Sequence, residues 1–387
     1  MPVLVAIGCS SSLGSLALQR FLATAAHPIR WRIYANYRAE GKPTFPGSES
    51  CTWLPCNLES LQDVKSFAKQ IRAKERAVDV LLLNAATWDT TAREVKVGGE
   101  RWTREAVVNH LAQHYLVHLL ADRLQASGED GSLERARIVM TTSNLHKSVA
   151  SLADLSSLLR RPSTISSTDP AAEATSTAAS DLAASSASAP TRQTSGRERY
   201  SASKAAQLLS AHYWRRVFSV KEGTNAAPSA DETARSSPRA VDIVAVSPGF
   251  VPSTNLSRDS NWIARLLMRY VLSWAPFAVS SDEGAGRIAR CLPPYEAASN
   301  VGNSEATATA DPLATLFASL PPSDILYISQ SSSTPLDSAA DAEGSSRYRV
   351  EGGAVGEWFK AGANWEEVQR ILGSAIPTRK EMDSWDL

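Results

Sequence analysis

Short apolar runs alternate with longer amphipathic segments along the first 250 residues or so, and this alternation limits the folds available to the chain. The apolar runs have the length and composition of buried strands and cover residues 3–8, 31–37, 78–83, 136–141 and 240–246. The segments between them have helical length and cover residues 13–25, 61–74, 101–124 and 202–218. Strands and helices in this order predict a doubly wound α/β fold, with a parallel sheet and helices on both faces.

Three polar stretches interrupt the alternation, at residues 151–196, 222–239 and 297–323. The first consists mostly of Ser, Ala, Thr and Pro, with too few large apolar side chains to offset the entropy lost on ordering. We therefore expect residues 1–387 to form a single domain. In it, residues 151–196 are a largely disordered insertion and the other two stretches are flexible insertions.

The charge balance and the apolar runs exclude several classes of protein. Lys and Arg number 40, as do Asp and Glu, so the net charge is zero and we expect no nucleic-acid partner. The sequence contains no run of 18 apolar residues, so no transmembrane helix is expected. The N-terminal run lacks the pattern of a signal peptide, so a cytoplasmic location is expected.

No metal site is expected either. His110, His114 and His118 share one helical face, but no carboxylate or cysteine joins them at ligand spacing, so structural roles are favoured. The four cysteines show no paired metal-binding spacing and are expected to be buried thiols.

A glycine- and serine-rich turn follows the first predicted strand and opens the first predicted helix, reading Gly8-Cys9-Ser10-Ser11-Ser12-Leu13-Gly14. Backbone N–H groups at a helix N-terminus bind pyrophosphate, and the helix dipole also favours negative charge there. Gly8 allows a tight turn and Gly14 allows close packing of helix on strand. By itself, the turn fits an ordinary strand-to-helix connection equally well.

The end of the second predicted strand bears on the choice of cofactor. Arg38 stands where an acidic residue would bind the ribose hydroxyls of NAD. A cation there accommodates the 2′-phosphate, which favours NADP(H) over NAD(H), although a solvated loop residue is the alternative. Asn57, with Leu58 beside it, is placed to reach the adenine, but Asn is also common in turns.

Six motifs in this order resemble the short-chain dehydrogenase/reductase family, and the stretch 253–290 looks most like the retinol dehydrogenase and protochlorophyllide reductase side of that family. The first is the glycine turn, in which Ile7 and Ser12 replace the Thr and the middle Gly of the family's TGxxxGxG. The others are Leu83-Asn84-Ala85-Ala86, Val108-Asn109-His110-Leu111, Thr142-Ser143, Tyr200-Ser201-Ala202-Ser203-Lys204, and Ser247-Pro248-Gly249-Phe250-Val251 with Thr254.

The resemblance covers most of residues 1–295 and implies a Rossmann-type fold that binds a nicotinamide cofactor. The cofactor-binding residues it implies are Gly8, Ser10, Ser11, Ser12, Leu13, Gly14, Asn84, Ala85, Ala86, Tyr200, Lys204, Pro248, Gly249, Val251 and Thr254. It also implies a homodimer through the helices that carry Asn109 and Tyr200.

The expected chemistry is hydride transfer between the nicotinamide and a carbonyl or alcohol. Tyr200 and Lys204 lie one helical turn apart, and the ammonium is expected to lower the pKa of the phenol, the general acid or base. Ser143 stabilises charge on the substrate oxygen. The resemblance assigns Asn109 a helix bend and a water that relays protons to Lys204. The alternative for Asn109 is a mid-helix polar side chain bonded to the backbone.

The substrate and the activity leave alternatives open. The stretch 262–279 is apolar and stands where the resemblance places a substrate lid, and an apolar lid indicates a hydrophobic substrate. It fits a helix on a membrane surface or a dimer contact nearly as well. His146 is expected in the substrate pocket, and residues 358–372 are expected to form one amphipathic helix beside it. The rival functions are a non-catalytic NAD(P)-binding regulator and, third, an epimerase or dehydratase.

Overall fold

The computed structural model describes residues 1–24, 31–38, 41–126, 133–161, 194–219, 238–252, 278–293, 325–328, 353–360, 365–372 and 375–385, with positions 313, 317 and 350. Thr254 and nearly all of the apolar stretch 262–279 lie outside these residues, as does most of the three predicted insertions. Residues 151–161, within the first predicted insertion, form a helix and a short strand.

Ten strands are described. They are β1 (Val3–Ile7), β2 (Arg32–Tyr37), β3 (Cys51–Pro55), β4 (Val80–Leu83), β5 (Glu94–Val97), β6 (Glu100–Thr103), β7 (Ala136–Thr141), β8 (Arg160–Arg161), β9 (Val241–Val246) and β10 (Leu326–Ile328). Seven of them form one parallel sheet in the order β10-β9-β7-β4-β1-β2-β3. The other three form a small antiparallel sheet, β5-β6-β8.

The described helices are α1 (Ser12–Thr24), α2 (Leu61–Arg72), α3 (Arg104–Ala106), α4 (Ala112–Gln125), α5 (Leu152–Leu159), α6 (Gly196–Ser219), α7 (Ser281–Ala289), α8 (Gly353–Lys360), α9 (Trp365–Leu372) and α10 (Arg379–Asp383). A π-helical turn, Val107–Leu111, joins α3 to α4. None of the described helices combines the length and the apolar character needed to cross a membrane.

The main sheet is buried on both faces, which explains why its strands are continuous apolar runs. In β1, Val3, Val5 and Ile7 belong to one hydrophobic cluster, and Leu4 and Ala6 belong to the other. The first cluster includes side chains of α2, α4 and α6, and the second includes side chains of α1 and α7. The predicted doubly wound α/β fold is therefore confirmed.

Two predicted helices differ from the structure. The segment predicted as a helix from residue 101 begins as strand β6, and α3 starts only at Arg104. Residues 100–103 pair with β5 across the two-residue turn Gly98-Gly99, so hairpin pairing replaces the first helical turn there. The C-terminal helix predicted at residues 358–372 corresponds to two described helices, α8 (Gly353–Lys360) and α9 (Trp365–Leu372), of which α8 begins five residues before the predicted start, and residues 361–364 lie outside the described chain.

The strand order indicates where a ligand would bind, beyond the carboxyl ends of the strands of the main sheet. From β1 the chain passes to β2 and β3 on one side, and it then returns to β4, β7 and β9 on the other. Ligands of open α/β sheets bind beyond the carboxyl ends of the strands at such a reversal. The residues that follow β1, β4, β7 and β9 are Gly8, Asn84, Thr142 and Ser247.

Candidate functional site

A cavity of about 650 Å³ opens at the carboxyl ends of these strands. The predicted cofactor-binding residues that line it are Gly8, Ser10, Ser11, Ser12, Leu13, Gly14, Arg38, Asn57, Leu58, Asn84, Ala85, Ala86, Tyr200, Lys204, Pro248, Gly249 and Val251. Ser143 lines the same cavity, so the structure brings the predicted turn, the cation and the predicted catalytic groups together.

The turn after β1 has the close packing that its glycines predict. Gly8 has φ 77°, and a Cβ there would overlap the backbone of Ala85. A Cβ on Gly14 would overlap the carbonyl oxygen of Gly8 and the side-chain amide of Asn84. Ser12, which replaces the middle glycine of the resemblance, has φ 53°, a conformation that glycine adopts more readily.

Two asparagines hold this turn against the neighbouring strands. The Nδ2 of Asn84 donates to the carbonyl oxygen of Gly8 (2.9 Å), and its Oδ1 accepts from the Thr141 hydroxyl (3.0 Å). Asn36 accepts from the Gly8 N–H (2.8 Å) and donates to the carbonyl oxygen of Cys56 (3.1 Å). The ends of β1, β2, β3, β4 and β7 are thus joined by side-chain amides.

Ser143 and Tyr200 meet although they are far apart in sequence. Ser143 caps the 3₁₀ turn that follows β7, with its Oγ accepting from the Leu145 N–H (3.3 Å), and Tyr200 lies in the first turns of α6. Their side chains are hydrogen-bonded, and the phenol ring stacks on Trp88 with a centroid separation of 5.1 Å.

The pKa of Tyr200 differs from the prediction. Burial raises it, and the hydrogen bond with Ser143 opposes this rise only in part. Lys204 lies one turn further along α6, with its Nζ 5.8 Å from the centre of the phenol ring. Because burial lowers the pKa of Lys204 to about 7, its positive charge is itself disfavoured at this position. The predicted lowering of the Tyr200 pKa is therefore not seen in this structure.

Lys204 is completely enclosed and its ammonium protons have defined acceptors. The Nζ donates to the carbonyl oxygen of Thr141 (2.8 Å) and to Oε1 of Gln207 (3.1 Å). The first bond ties α6 to the end of β7, which fixes the lysine beside Ser143.

Asn109 lies behind the cavity wall, within the π-helical turn. Its amide exchanges hydrogen bonds with the backbone of Thr87, accepting from the N–H (2.7 Å) and donating to the carbonyl (2.9 Å), and it also donates to Ser203 (2.9 Å). The backbone-bonded alternative for this side chain is thus what the geometry shows. The helix is irregular at Asn109, as the resemblance implied.

His146 does not line the cavity, contrary to the prediction. It is buried, its Nδ1 contacts the carbonyl oxygen of Ser143 (2.8 Å), and its ring meets that of Tyr327 edge-on. The side chain therefore supports the Ser143 turn from behind.

The sequence predictions missed Asn36, Trp88 and Thr141, which also line the cavity. A polar amide within the buried part of β2, residues 33–36, was the signal for Asn36. Thr141 and Trp88 had no comparable signal, because Thr141 bonds to Asn84 and Lys204 only once the strands and α6 have packed together, and Trp88 acts through stacking on Tyr200.

The three histidines of one helical face were expected to have structural roles and not to bind a metal. His110 and His114 contact the carbonyl oxygens of Ala375 (2.8 Å) and Pro377 (2.7 Å), and His118 pairs with Asp383 (3.0 Å). Among the residues that the structure describes, no group of three or more His, Cys, Asp or Glu side chains could hold a metal ion.

Solved structures with a similar arrangement are distant in sequence. An NADPH-bound carbonyl reductase from chicken fatty liver is 15% identical with a TM-score of 0.45, covering 84% of this chain and 97% of that one. A short-chain dehydrogenase/reductase of Burkholderia multivorans with bound NADP is 17% identical with a TM-score of 0.40, covering 74% and 87%. The assignment to a family therefore depends on relatives found by sequence.

No protein-family model matches the sequence. A protochlorophyllide reductase of Marchantia paleacea is 32% identical over 149 residues, which are 37% of this chain and 31% of that protein. A short-chain dehydrogenase/reductase of Pestalotiopsis microspora is 30% identical over 297 residues, 75% of this chain and 81% of the relative. Similarity over that share of both chains means that this protein belongs to the short-chain dehydrogenase/reductase family.

Proposed function

We propose that this protein is an NADP(H)-dependent oxidoreductase that transfers a hydride between the nicotinamide and a carbonyl or alcohol group of an apolar small molecule. The observation that carries the proposal is one shared cavity. Ser143, Tyr200 and Lys204 line it together with the glycine turn of residues 8–14 and with Arg38.

The chemistry of the lining fits such a cofactor. The turn at the N-terminus of α1 suits a pyrophosphate, because helix N-termini favour anions. Arg38, half-buried at the end of β2, suits a 2′-phosphate and supports NADP(H) over NAD(H). Asn57 and Leu58 are available for the adenine, and Pro248, Gly249 and Val251 for the nicotinamide.

Bound NADPH supplies the hydride. Tyr200 is protonated at neutral pH because burial raises its pKa, so the phenol is ready to donate a proton to a carbonyl oxygen. Ser143 donates a hydrogen bond to that oxygen as charge develops there. These two roles support carbonyl reduction as the direction at neutral pH, since alcohol oxidation needs the phenolate.

An apolar substrate is supported by the side chains around the reacting groups. Trp88, Val108, Leu145 and Phe250 line the cavity along with Tyr200. Small-molecule pockets of this kind combine mostly apolar walls with a few fixed polar groups.

We also propose a cytoplasmic location, because Cys9, Cys51, Cys56 and Cys291 are buried and unpaired, which fits a reducing compartment. Residues 375–385 pack on the helix that follows Asn109, where the resemblance would place a dimer contact, so this face of the helix is covered within one chain. The stretch for which a membrane contact was an alternative, residues 262–279, lies almost entirely outside the described residues.

A non-catalytic NAD(P)-binding regulator is the second candidate. The observation that favours it is the positive φ of Ser12, because a serine in a glycine conformation strains the turn that would hold the pyrophosphate. Weakened nucleotide binding would follow from such strain.

The test combines nucleotide binding with turnover. The purified full chain is titrated with NADPH and NADH and then assayed against a panel of apolar ketones and aldehydes. Tyr200→Phe should lower turnover by roughly 10²-fold or more, which is the usual contribution of a general acid. Tyr213→Phe is the matched control, since Tyr213 lies on the same helix and accepts a hydrogen bond from the Arg379 N–H outside the cavity.

Arg38→Ala tests the choice of nucleotide and should weaken NADPH binding much more than NADH binding. NADPH binding without turnover of any carbonyl would favour the regulator. Absence of binding by either nucleotide would overturn both functions.

A further inference from the structure

Two glutamines form a buried chain that ends on Lys204. Gln207 lies one turn after Lys204 on α6, and Gln113 lies opposite it on α4. The Nε2 of Gln207 donates to Oε1 of Gln113 (3.2 Å), and Oε1 of Gln207 accepts from Lys204 (3.1 Å). Both glutamines are almost fully buried, at 3% and 2% exposed.

The orientation of both amides follows from the backbone. The Nε2 of Gln113 lies close to the carbonyl oxygens of Ala85 (2.8 Å) and Val108 (3.0 Å). A carbonyl only accepts hydrogen bonds, so the NH₂ group of Gln113 must face these two atoms and its oxygen must face Gln207. Gln207 then has to present its NH₂ group to Gln113 and its oxygen to Lys204.

These hydrogen bonds determine which acceptor each N–H of the Lys204 ammonium faces. An ammonium group has three N–H donors and no acceptor. Two of them are used by the Thr141 carbonyl and by Gln207, which leaves one donor for the cavity that Lys204 lines with Tyr200.

We propose that Gln207, oriented by Gln113, is a positioning residue of the reductase site that holds Lys204 as a charged ammonium with one N–H available to the cavity. The inference rests on the proposed function, and it assigns to an amide pair the support of the lysine that the resemblance assigned to Asn109 and a water. Gln207 contacts Lys204 and is not itself a group that touches the substrate.

The groups that face Lys204 make its charge depend on such acceptors. On α6 the titratable neighbour is Tyr200, which is neutral at ordinary pH. The facing group from β7 is the Thr141 carbonyl, and α4 contributes the Gln113 amide, which contacts Gln207; both groups are uncharged. With burial lowering the pKa of Lys204 to about 7, removal of one acceptor shifts the group further toward the neutral amine.

The first experiment needs neither cofactor nor substrate. The free energy of unfolding is measured in urea from pH 5 to pH 10 for the wild type, Gln207→Leu, Lys204→Met and the double variant. A lysine with a lowered folded-state pKa makes stability rise with pH between the folded and unfolded values, about 7 and 10.5. In Gln207→Leu this rise should begin roughly one pH unit lower.

The double variant separates the charge effect from simple loss of packing. In the Lys204→Met background, Gln207→Leu should leave the pH dependence unchanged, since no lysine remains to titrate. The same pH dependence in Gln207→Leu and wild type would overturn the inference, even if the variant is less stable at every pH.

The second experiment uses the reductase. The rate of carbonyl reduction falls at alkaline pH as Lys204 loses its proton, and in Gln207→Leu this fall should move to lower pH by about one unit. Gln207→Glu should move it to higher pH, because a carboxylate favours the ammonium. Gln125→Leu removes another buried glutamine, near the far end of α4, and should leave the profile in place.

Failure of the two proposals can be told apart. If the wild type reduces carbonyls and Gln207→Leu keeps the wild-type profile, the positioning role is wrong and the reductase function stands. If the wild type neither binds NADPH nor reduces a carbonyl, the function is wrong and the inference falls with it.

Discussion

At the residue scale, the glycine turn depends on a close approach between Gly8 and Ala85 that leaves no room for a side chain at Gly8. Gly8 combines a positive φ with a position at which an added Cβ would overlap the backbone of Ala85. Gly99 has a similar φ of 82°, but a Cβ there would meet nothing within 4 Å. The two positions therefore separate conformational strain from steric overlap.

We predict that Gly8→Ala abolishes NADPH binding and lowers the melting temperature sharply, since β1 and β4 must move apart to admit the methyl group. Gly99→Ala should cost only about 1 kcal/mol, from the unfavourable φ alone. Thermal unfolding and a nucleotide titration measure both effects. Equal losses in the two variants would contradict the overlap seen at Ala85.

Asn84 acts through both ends of its amide, which distinguishes it from an aspartate. It donates to the Gly8 carbonyl and accepts from Thr141, whereas Asn57 uses its Oδ1 to accept from the Glu59 N–H (3.2 Å). We predict that Asn84→Asp lowers the free energy of unfolding by roughly 1–3 kcal/mol, because a carboxylate then faces a carbonyl oxygen.

Asn57→Asp is the matched control and should change the free energy of unfolding by less than about 0.5 kcal/mol, since its acceptor is kept. Urea unfolding at pH 7.5 compares the two variants. A small effect at Asn84 would mean that the turn is held by backbone packing rather than by this amide.

At the element scale, the sequence predicted five of the seven strands of the parallel sheet, β1, β2, β4, β7 and β9, to within two residues at each end, and β3 was not among the predicted strands. That success has a physical basis, because strands such as β1 and β7 are buried on both faces and read as continuous apolar runs. The three-residue strand β10 was missed, since its identity comes from pairing with β9 rather than from its own length. The candidate residues that line the cavity could be named from the sequence because each follows a strand or lies on a helix beside one.

The other features that the sequence did not predict also depend on contacts between separate parts of the chain. The Gly98-Gly99 turn was a readable hairpin signal, but helical periodicity after residue 101 obscured it. The raised pKa of Tyr200 could not be read from the sequence, because it depends on how completely the surrounding elements exclude water from the phenol.

Helix α4 and the C-terminal segment of residues 375–385 form a contact built on neutral histidines. In His114, Nδ1 accepts from the indole N–H of Trp214 (3.0 Å), so Nε2 carries the proton and donates to the Pro377 carbonyl (2.7 Å). If Nδ1 of His114 were also protonated, its N–H would face the indole N–H of Trp214, which can only donate a hydrogen bond. The pKa of His114 is accordingly lowered to about 3, mainly by burial, and that of His110 to about 4.

We predict that acid releases this segment. A histidine with a lowered pKa contributes stability that is complete above its ordinary value of 6.5 and is lost as the pH falls toward about 4. The protection factors of residues 375–385 against hydrogen exchange, which correct for the slower intrinsic exchange in acid, should therefore fall between pH 6.5 and pH 4.5. In His114→Gln, whose amide can donate and accept but does not titrate there, the fall should be smaller. Constant protection across this range would contradict the prediction.

At the scale of the whole molecule, the C-terminal segment closes a face of the domain that the sheet and its helices leave open. Ala375, Ile376 and Met382 are buried in the larger hydrophobic cluster, and Trp385 packs on Tyr115 of α4 with a centroid separation of 5.1 Å. The segment thus covers the outer side of the helix whose inner side supports the site through Gln113.

We predict that deletion of residues 375–387 lowers the free energy of unfolding by roughly 3–6 kcal/mol, the contribution expected from burying Ile376 and Met382. The truncated protein should also associate with itself, because the deletion exposes Tyr115 and the neutral histidine rings that the segment covers. Urea unfolding and light scattering measure the two effects, and Met382→Ala, which removes one side chain but keeps the segment, is the control. A truncated protein that stays monomeric and keeps its stability would mean that this segment rests on the domain without supporting it, and that the histidine contacts contribute little.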